Sequence, residues 1–446
     1  MTSSRSYAAT RACAAALACG MLLSGCSDSL ENFNPVNFNP FKQPEQRLPG
    51  ERRGILADTA ATAPDQAAGG NVSIPGPSGL SAWAQPGGVP SNAPGNVSLT
   101  PGQPWSARVA EVERRGRLAA SPVVDDGRAY VMATDGTVSA FSISGGGRAW
   151  SVSTRPEGER GRGYGGGLAS GSGVLVVATP YKSVVGLDPA TGGVVWTSNV
   201  PAPPRGAPTV ADGTAYVVTS DNVLVALNVA DGSEKWRHRG IGEATGVFGS
   251  ASPAVSGGKV VVPYSSGEII VFNASDGTPA WLDALTGASR LTSVSGIDDV
   301  SRPVVFDGTV YAVSVSGRMI ATSLSNGERR WAQSVASSHT PAVAGNSIFV
   351  ATLEGAVVAL DRATGKIRWR TPVTNDRGSR VDLAGPLLAG SQLWVGTSDG
   401  RVLIIDPASG QLTGAQNVGN PVFLPPIAAG GRVLVLDNAG NLSAVN

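Results

Sequence analysis

The sequence is poor in cysteine, histidine, charge and long apolar runs. Three cysteines and two histidines occur in 446 residues, and charged residues make up 15%. Two histidines, His238 and His339, in separate segments make neither a metal site nor a catalytic triad. With 34 basic and 33 acidic residues, the formal net charge is +1. There is no basic surplus to neutralise a nucleic-acid backbone. Beyond the N-terminal segment no stretch reaches the 18 or so apolar residues a spanning helix needs. Long Ala/Glu/Lys/Leu helical runs are also missing. Glycine (59) and proline (31) are abundant instead. Short apolar runs between glycine-rich turns predict an all-β chain.

The first residues read as a targeting segment. Arg5 and Arg11 give it a positive start, and Ala12 to Leu23 is apolar but too short to span a bilayer. It ends in Leu23-Ser24-Gly25-Cys26, which resembles the bacterial lipobox. That resemblance implies a signal peptide over 1–25 and a lipidated Cys26. Cys13 and Cys19 leave with the signal, so the mature chain has no disulfide although its compartment is oxidising. Acyl chains contribute about 0.8 kcal/mol per buried CH₂, and several make a durable anchor. Ser27 follows the cysteine and Asp28 comes one place later, which in such lipoproteins points to the outer membrane. Residues 26–102 lack a β pattern and have few large apolar side chains. They are expected to form a disordered Pro/Gly-rich tether with an r.m.s. reach of about 50 Å.

From residue 103 onward the chain repeats. Trp105, Trp150, Trp196, Trp236, Trp281, Trp331 and Trp369 recur every 38 to 50 residues. A proline stands 28 places before five of them: Pro122, Pro208, Pro253, Pro303 and Pro341. Pro386 and Pro426 open two further units without the tryptophan, and Leu168 takes the proline's place in the second unit. Twenty-four places after this position stands Gly146, Gly192, Gly232, Gly277, Gly327, Gly365 or Gly410, supplying the positive φ of tight hairpins. Near-continuous apolar runs such as Ala215-Tyr216-Val217-Val218 suit strands covered on both faces. The expectation is an eight-bladed β-propeller over 103–446, with four antiparallel strands per blade. The eighth unit ends 20 places after Pro426, before its fourth strand. Gln103–Val109, carrying the unassigned Trp105, is expected to supply that strand and close the ring.

Leu187-Asp188-Pro189-Ala190-Thr191-Gly192-Gly193-Val194-Val195-Trp196 and Leu360-Asp361-Arg362-Ala363-Thr364-Gly365-Lys366-Ile367-Arg368-Trp369 resemble the pyrroloquinoline-quinone-like repeat. In that family the outer-strand tryptophan docks on the neighbouring blade, a structural role for all seven tryptophans above. Together with the lipobox and tether, the repeats resemble the BamB family, lipoproteins of the outer-membrane β-barrel assembly machine. That resemblance implies a non-enzymatic, cofactor-free scaffold on the periplasmic face of the outer membrane. It implies binding to the periplasmic domains of the barrel-forming subunit, BamA, through interblade loops. Unfolded outer-membrane proteins are expected clients, bound at exposed strand edges.

The alternative is a periplasmic pyrroloquinoline-quinone-dependent dehydrogenase, with a glycan-binding propeller as a third reading. A dehydrogenase would require a catalytic Asp and Ca²⁺ ligands, and in many cases adjacent cysteines, which the mature chain lacks. Asp188, Asp361 and Asp406 sit at a repeated turn, where Asx-turn chemistry explains them. For partner binding, the segment 288–302 before Pro303 resembles the family's acidic interblade loop, giving Asp298, Asp299 and Arg302 as candidates. The family's apolar-Arg-Gly element one blade earlier reads Gly246-Val247-Phe248-Gly249 here, without its arginine. Val247 and Phe248 remain apolar candidates there. Arg205-Gly206 supplies an Arg-Gly one blade too early. Arg155, Arg160 and Arg162 form a second charged loop, read as solvated.

Overall fold

The computed structural model describes residues 71–110, 112, 118, 120–159, 165–241, 252–285 and 299–445. Eight four-stranded antiparallel sheets form the eight blades of a β-propeller. Blades 1 to 7 span Val123–Ser153, Gly167–Asn199, Thr209–Arg239, Ala254–Ala284, Val304–Gln333, Ala342–Pro372 and Leu383–Asn417. Blade 8 is composite. Its three inner strands lie within Ile427–Val445, and its outer strand is β1 (Trp105–Arg108). Strand β1 runs antiparallel to β32 (Asn441–Val445), with Trp105 opposite Ala444 and Arg108 opposite Asn441. The expected closure of the ring by the 103–109 segment is present.

The strand sequences explain the layering. In blade 3 the second strand, β11 (Thr214–Val218), is buried along its whole length. Its blade is sandwiched between two others, so every side chain faces apolar surface. The fourth strand, β13 (Glu234–Arg239), alternates exposed and half-buried positions. Each fully buried Val or Leu in the inner strands contributes about 1.5–3 kcal/mol.

The tryptophans lock the blades together. Trp236 Nε1 donates to the carbonyl of Ala274 in blade 4 at 3.3 Å, and Trp196 Nε1 to Val229 in blade 3 at 2.8 Å. The same bond recurs from Trp105, Trp150, Trp281, Trp331 and Trp369 to the next blade. A β-bulge beside the tryptophan, such as the shift between Ala226 and Leu227, turns the outer strand at that point. The hairpin glycines have a second purpose that the sequence did not disclose. Gly277 has φ +72°, and a Cβ there would lie 2.6 Å from the Trp236 ring. The glycine is the seat of the neighbour's indole. The junction from blade 7 to blade 8 lacks this lock, because Gly414 stands where the tryptophan would be.

The expected tether is corrected in its second half. Residues 71–100 are packed onto the hub. The backbone of Trp83 pairs with that of Val124 in blade 1, through bonds of 2.8 and 2.9 Å. Ala84 and Pro90 accept hydrogen bonds from Ser170 and Val255 in blades 2 and 4. Gln85 bonds both the N–H and the C=O of Val210 in blade 3 with its side-chain amide. Ser91 and Ser73 reach Val305 and Asn346 in blades 5 and 6. Val97 bonds Leu388 and Gly390 in blade 7, and Thr100 bonds Gly431 in blade 8. One segment thus touches all eight blades. Composition suggested disorder because apolar residues are few, yet Trp83 and Val97 are buried at 4% and 1% exposure. The strap bonds inner strands of blades 1 to 5 and 7, and the first hairpin turns of blades 6 and 8, satisfying backbone groups that would otherwise face the hub.

Candidate partner-binding face

Strand alternation gives the wheel two distinct faces. The turns between first and second strands lie on one face, which the strap covers. The links from each fourth strand to the next blade lie on the other, beside the turns between second and third strands. The described partner-contact candidates, Arg205, Asp299 and Arg302, belong to these links.

Arg205, in the link to blade 3, is 2% exposed, and Asp299, in the link to blade 5, is 1% exposed. Arg205 Nη1 lies 3.1 Å from Asp299 Oδ1, and Nη2 donates to the Pro263 carbonyl in blade 4 at 3.0 Å. The clip therefore spans three blades. Burial pulls the Arg205 guanidinium below its ordinary pKa, while the Asp299 carboxylate opposes that pull. Beside it, burial pushes the Tyr264 phenol up. Tyr264 Oη and Arg205 Nε are buried and have no hydrogen-bond partner among the described residues. Arg302 is also buried, which lowers its pKa to about 10.

These positions correct the sequence expectation. Arg205, Asp299 and Arg302 were candidates for presentation to a partner, but their side chains are turned into the wheel. A carboxylate among apolar strands needs a cation, and Arg205 provides it. Asp298, Val247 and Phe248 lie outside the described residues, as do Arg160, Arg162 and Cys26. Arg155 sits over the Tyr181 ring at 5.8 Å. The sequence reading overlooked Ile241, which follows β13 at the start of the link to blade 4 and is 58% exposed. Its signal was a lone large apolar residue between glycines, Gly240 and Gly242.

Among the described residues, no three of His, Cys, Asp and Glu come together as a metal site would require. His238 packs on Phe272 with ring centroids 4.7 Å apart, whereas His339 lies before blade 6. The turn aspartates behave as expected of Asx turns. Asp188 Oδ1 accepts from the backbone N–H groups of Ala190 and Thr191, which hold its carboxyl below the ordinary range.

The family model described as "Outer membrane protein assembly factor BamB" matches residues 102–163, 135–371 and 354–446. Curated relatives of the same description include one from Nitrosomonas eutropha, 26% identical over 54% of this chain and 57% of its own length. Another, from Yersinia pestis, is 28% identical over 39% of this chain and 44% of its own length. The chain spans about half the length of these relatives. Among solved structures, BamB from Moraxella catarrhalis superposes with a TM-score of 0.65 at 21% identity, covering 78% of this chain and 99% of that one. Quinohemoprotein alcohol dehydrogenase from Comamonas testosteroni gives 0.63 at 15% identity, covering 82% and 80%. Both likenesses speak to the fold.

The residues present do not fit a quinone cofactor. Residues 71–100 occupy the hub, leaving a cavity of about 50 Å³ against Trp83, Asn92, Pro341, Leu387 and Pro426 and a wider, open hollow of about 520 Å³ between Gln85, Pro90 and the first hairpins of blades 2 to 4. The hollow is large enough for a small molecule, but among the described residues no carboxylates cluster there to hold the cation a quinone needs. The three cysteines, Cys13, Cys19 and Cys26, include no adjacent pair.

Proposed function

The chain belongs to the outer membrane protein assembly factor BamB family, and on that premise we propose that it is a non-enzymatic scaffold of outer-membrane β-barrel assembly. A lipid on Cys26 anchors it to the periplasmic face of the outer membrane. Its interblade links bind the periplasmic domains of a BamA-like barrel subunit. One observation carries the reading. The strap of residues 71–100 occupies the hub, while on the opposite face the buried Arg205–Asp299 pair ties the link into blade 3 to the root of the link into blade 5. The second of these links, 285–303, is the longest in the wheel. Exposed Ile241 stands at the root of the link into blade 4, as an apolar anchor in a polar surround.

Clients are received at a blade edge. The outer strand of blade 2, β9 (Val194–Asn199), carries no charge, and Val194 and Val195 are 59% and 53% exposed. Outer strands are ordinarily guarded by charge, as β13 is by Glu234, Lys235, Arg237 and Arg239. An unguarded edge accepts an extended strand.

The test is capture of the barrel subunit's purified periplasmic domains by the full chain. Ile241→Glu and Asp298→Arg should each weaken capture roughly tenfold, about 1.4 kcal/mol, with the melting temperature unchanged. Undiminished capture by both variants would remove the link face as the contact.

A further inference from the structure

We propose that the hub mouth is a binding site for an extended Pro/Gly-rich peptide, and that residues 71–100 are its ligand, held in cis. Three features separate this segment from an ordinary loop. The first is backbone recognition. Val124, Ser170, Val255 and Val305, one from each of four inner strands, donate their N–H groups to the carbonyls of Trp83, Ala84, Pro90 and Ser91 at 2.7–2.9 Å. This is how a sheet edge binds an added strand, carried around a circle.

The second is a pair of buried amides that read the surface. Gln85 Nε2 donates to Val210 O at 2.7 Å, and its Oε1 accepts from Val210 N at 3.0 Å. Asn92 Nδ2 donates to Pro303 O at 2.8 Å and Pro253 O at 3.3 Å, joining blades 5 and 4. Asn92 adopts φ 57°, and a Cβ on Gly87 would fall 2.2 Å from its Oδ1. The peptide's own turn thus has to be glycine-rich to present the amide.

The third is composition. Between Ile74 and Val97 the segment holds five prolines and five glycines, with Trp83 and Val97 as its apolar anchors. Proline-rich chain is already extended before binding, so little entropy is lost on docking. The hub surface it meets is itself apolar, with Pro341, Pro386 and Pro426 around the Trp83 ring. Only the short connection 101–104 joins this ligand to β1.

The experiment uses the full chain with a specific protease site inserted between Pro101 and Gly102. After cleavage, the N-terminal fragment should co-elute with the wheel on gel filtration. A fluorescent synthetic peptide of residues 71–100, added in excess, should then exchange into the wheel. A peptide carrying Gln85→Ala and Asn92→Ala should enter roughly tenfold less well. Separation of the cleaved fragment on the column overturns the proposal. So does a retained fragment that never exchanges, which would make the strap a fixed part of the fold. Equal entry of the two peptides overturns the role of the amides. Circular dichroism of the cleaved chain before and after exchange verifies that the wheel itself remains folded throughout.

Discussion

Arg205 and Asp299, 94 positions apart in the chain, form a buried ion pair at 3.1 Å that crosses blade 4 from the link before blade 3 to the link before blade 5. Both charges are buried, so each offsets part of the other's desolvation. Arg205→Ala should destabilise the fold by about 3–5 kcal/mol, because it strips the cation from a buried carboxylate. The exchanged pair, Arg205→Asp with Asp299→Arg, should recover part of that loss. Denaturant unfolding of the single and double variants gives the coupling directly, and additive effects would show that the two charges do not support each other.

The seat of each indole predicts a contrast between two glycines in one blade. Gly258 has φ +69° and nothing within 4 Å of a built Cβ, whereas Gly277 has φ +72° and the Trp236 ring at 2.6 Å. Gly258→Ala should cost about 1–2 kcal/mol of backbone strain. Gly277→Ala should cost more, since the indole must also move. Trp236→Ala should cost about 3–5 kcal/mol. Equal losses from the two glycine variants would remove the seat.

Acid should weaken the wheel through His339. Burial, with Arg302 adding repulsion, lowers this imidazole to about 4, against about 6.5 in an unfolded chain. Between those values the unfolded chain holds more protons, so stability rises with pH there and falls on acidification. The loss from pH 7 to pH 4.5 should be on the order of 2 kcal/mol. His238 is also lowered by burial and adds in the same direction. His339→Gln should flatten the profile, and an unaltered slope in thermal melts would assign it to other groups.

The strap should be worth several hydrogen bonds and two apolar anchors. A chain shortened to begin at Gly102 should melt roughly 5 °C or more below one beginning at Asn71. Equal melting temperatures would mean that the contacts of Gln85, Asn92 and Trp83 add nothing to the fold.

The wheel was legible because its repeat is enforced locally. Each blade needs its own Gly–Trp contact, so Gly232 and Trp236 declare themselves by spacing, as Trp105 declared the closing strand. The strap was illegible because it has no period. It meets the eight blades at different places, mostly through backbone groups, with Trp83, Gln85, Asn92 and Asn96 adding side-chain contacts. Family comparison placed Arg205 one blade too early to serve the acidic loop. Around a hub, however, links of different blades converge, and a long guanidinium arm reaches across one blade. Burial followed from that convergence, and no linear spacing could have exposed it.

The composite eighth blade sets a timetable for the molecule. Strand β1 finds its partner β32 more than 330 positions downstream. A chain that emerges N-terminus first therefore holds its opening strand idle, with a raw edge, until almost everything else has been made. Seven blades can stack as they appear, but the circle shuts in one late event. Whatever guards newly delivered chains has to stay with this one until then.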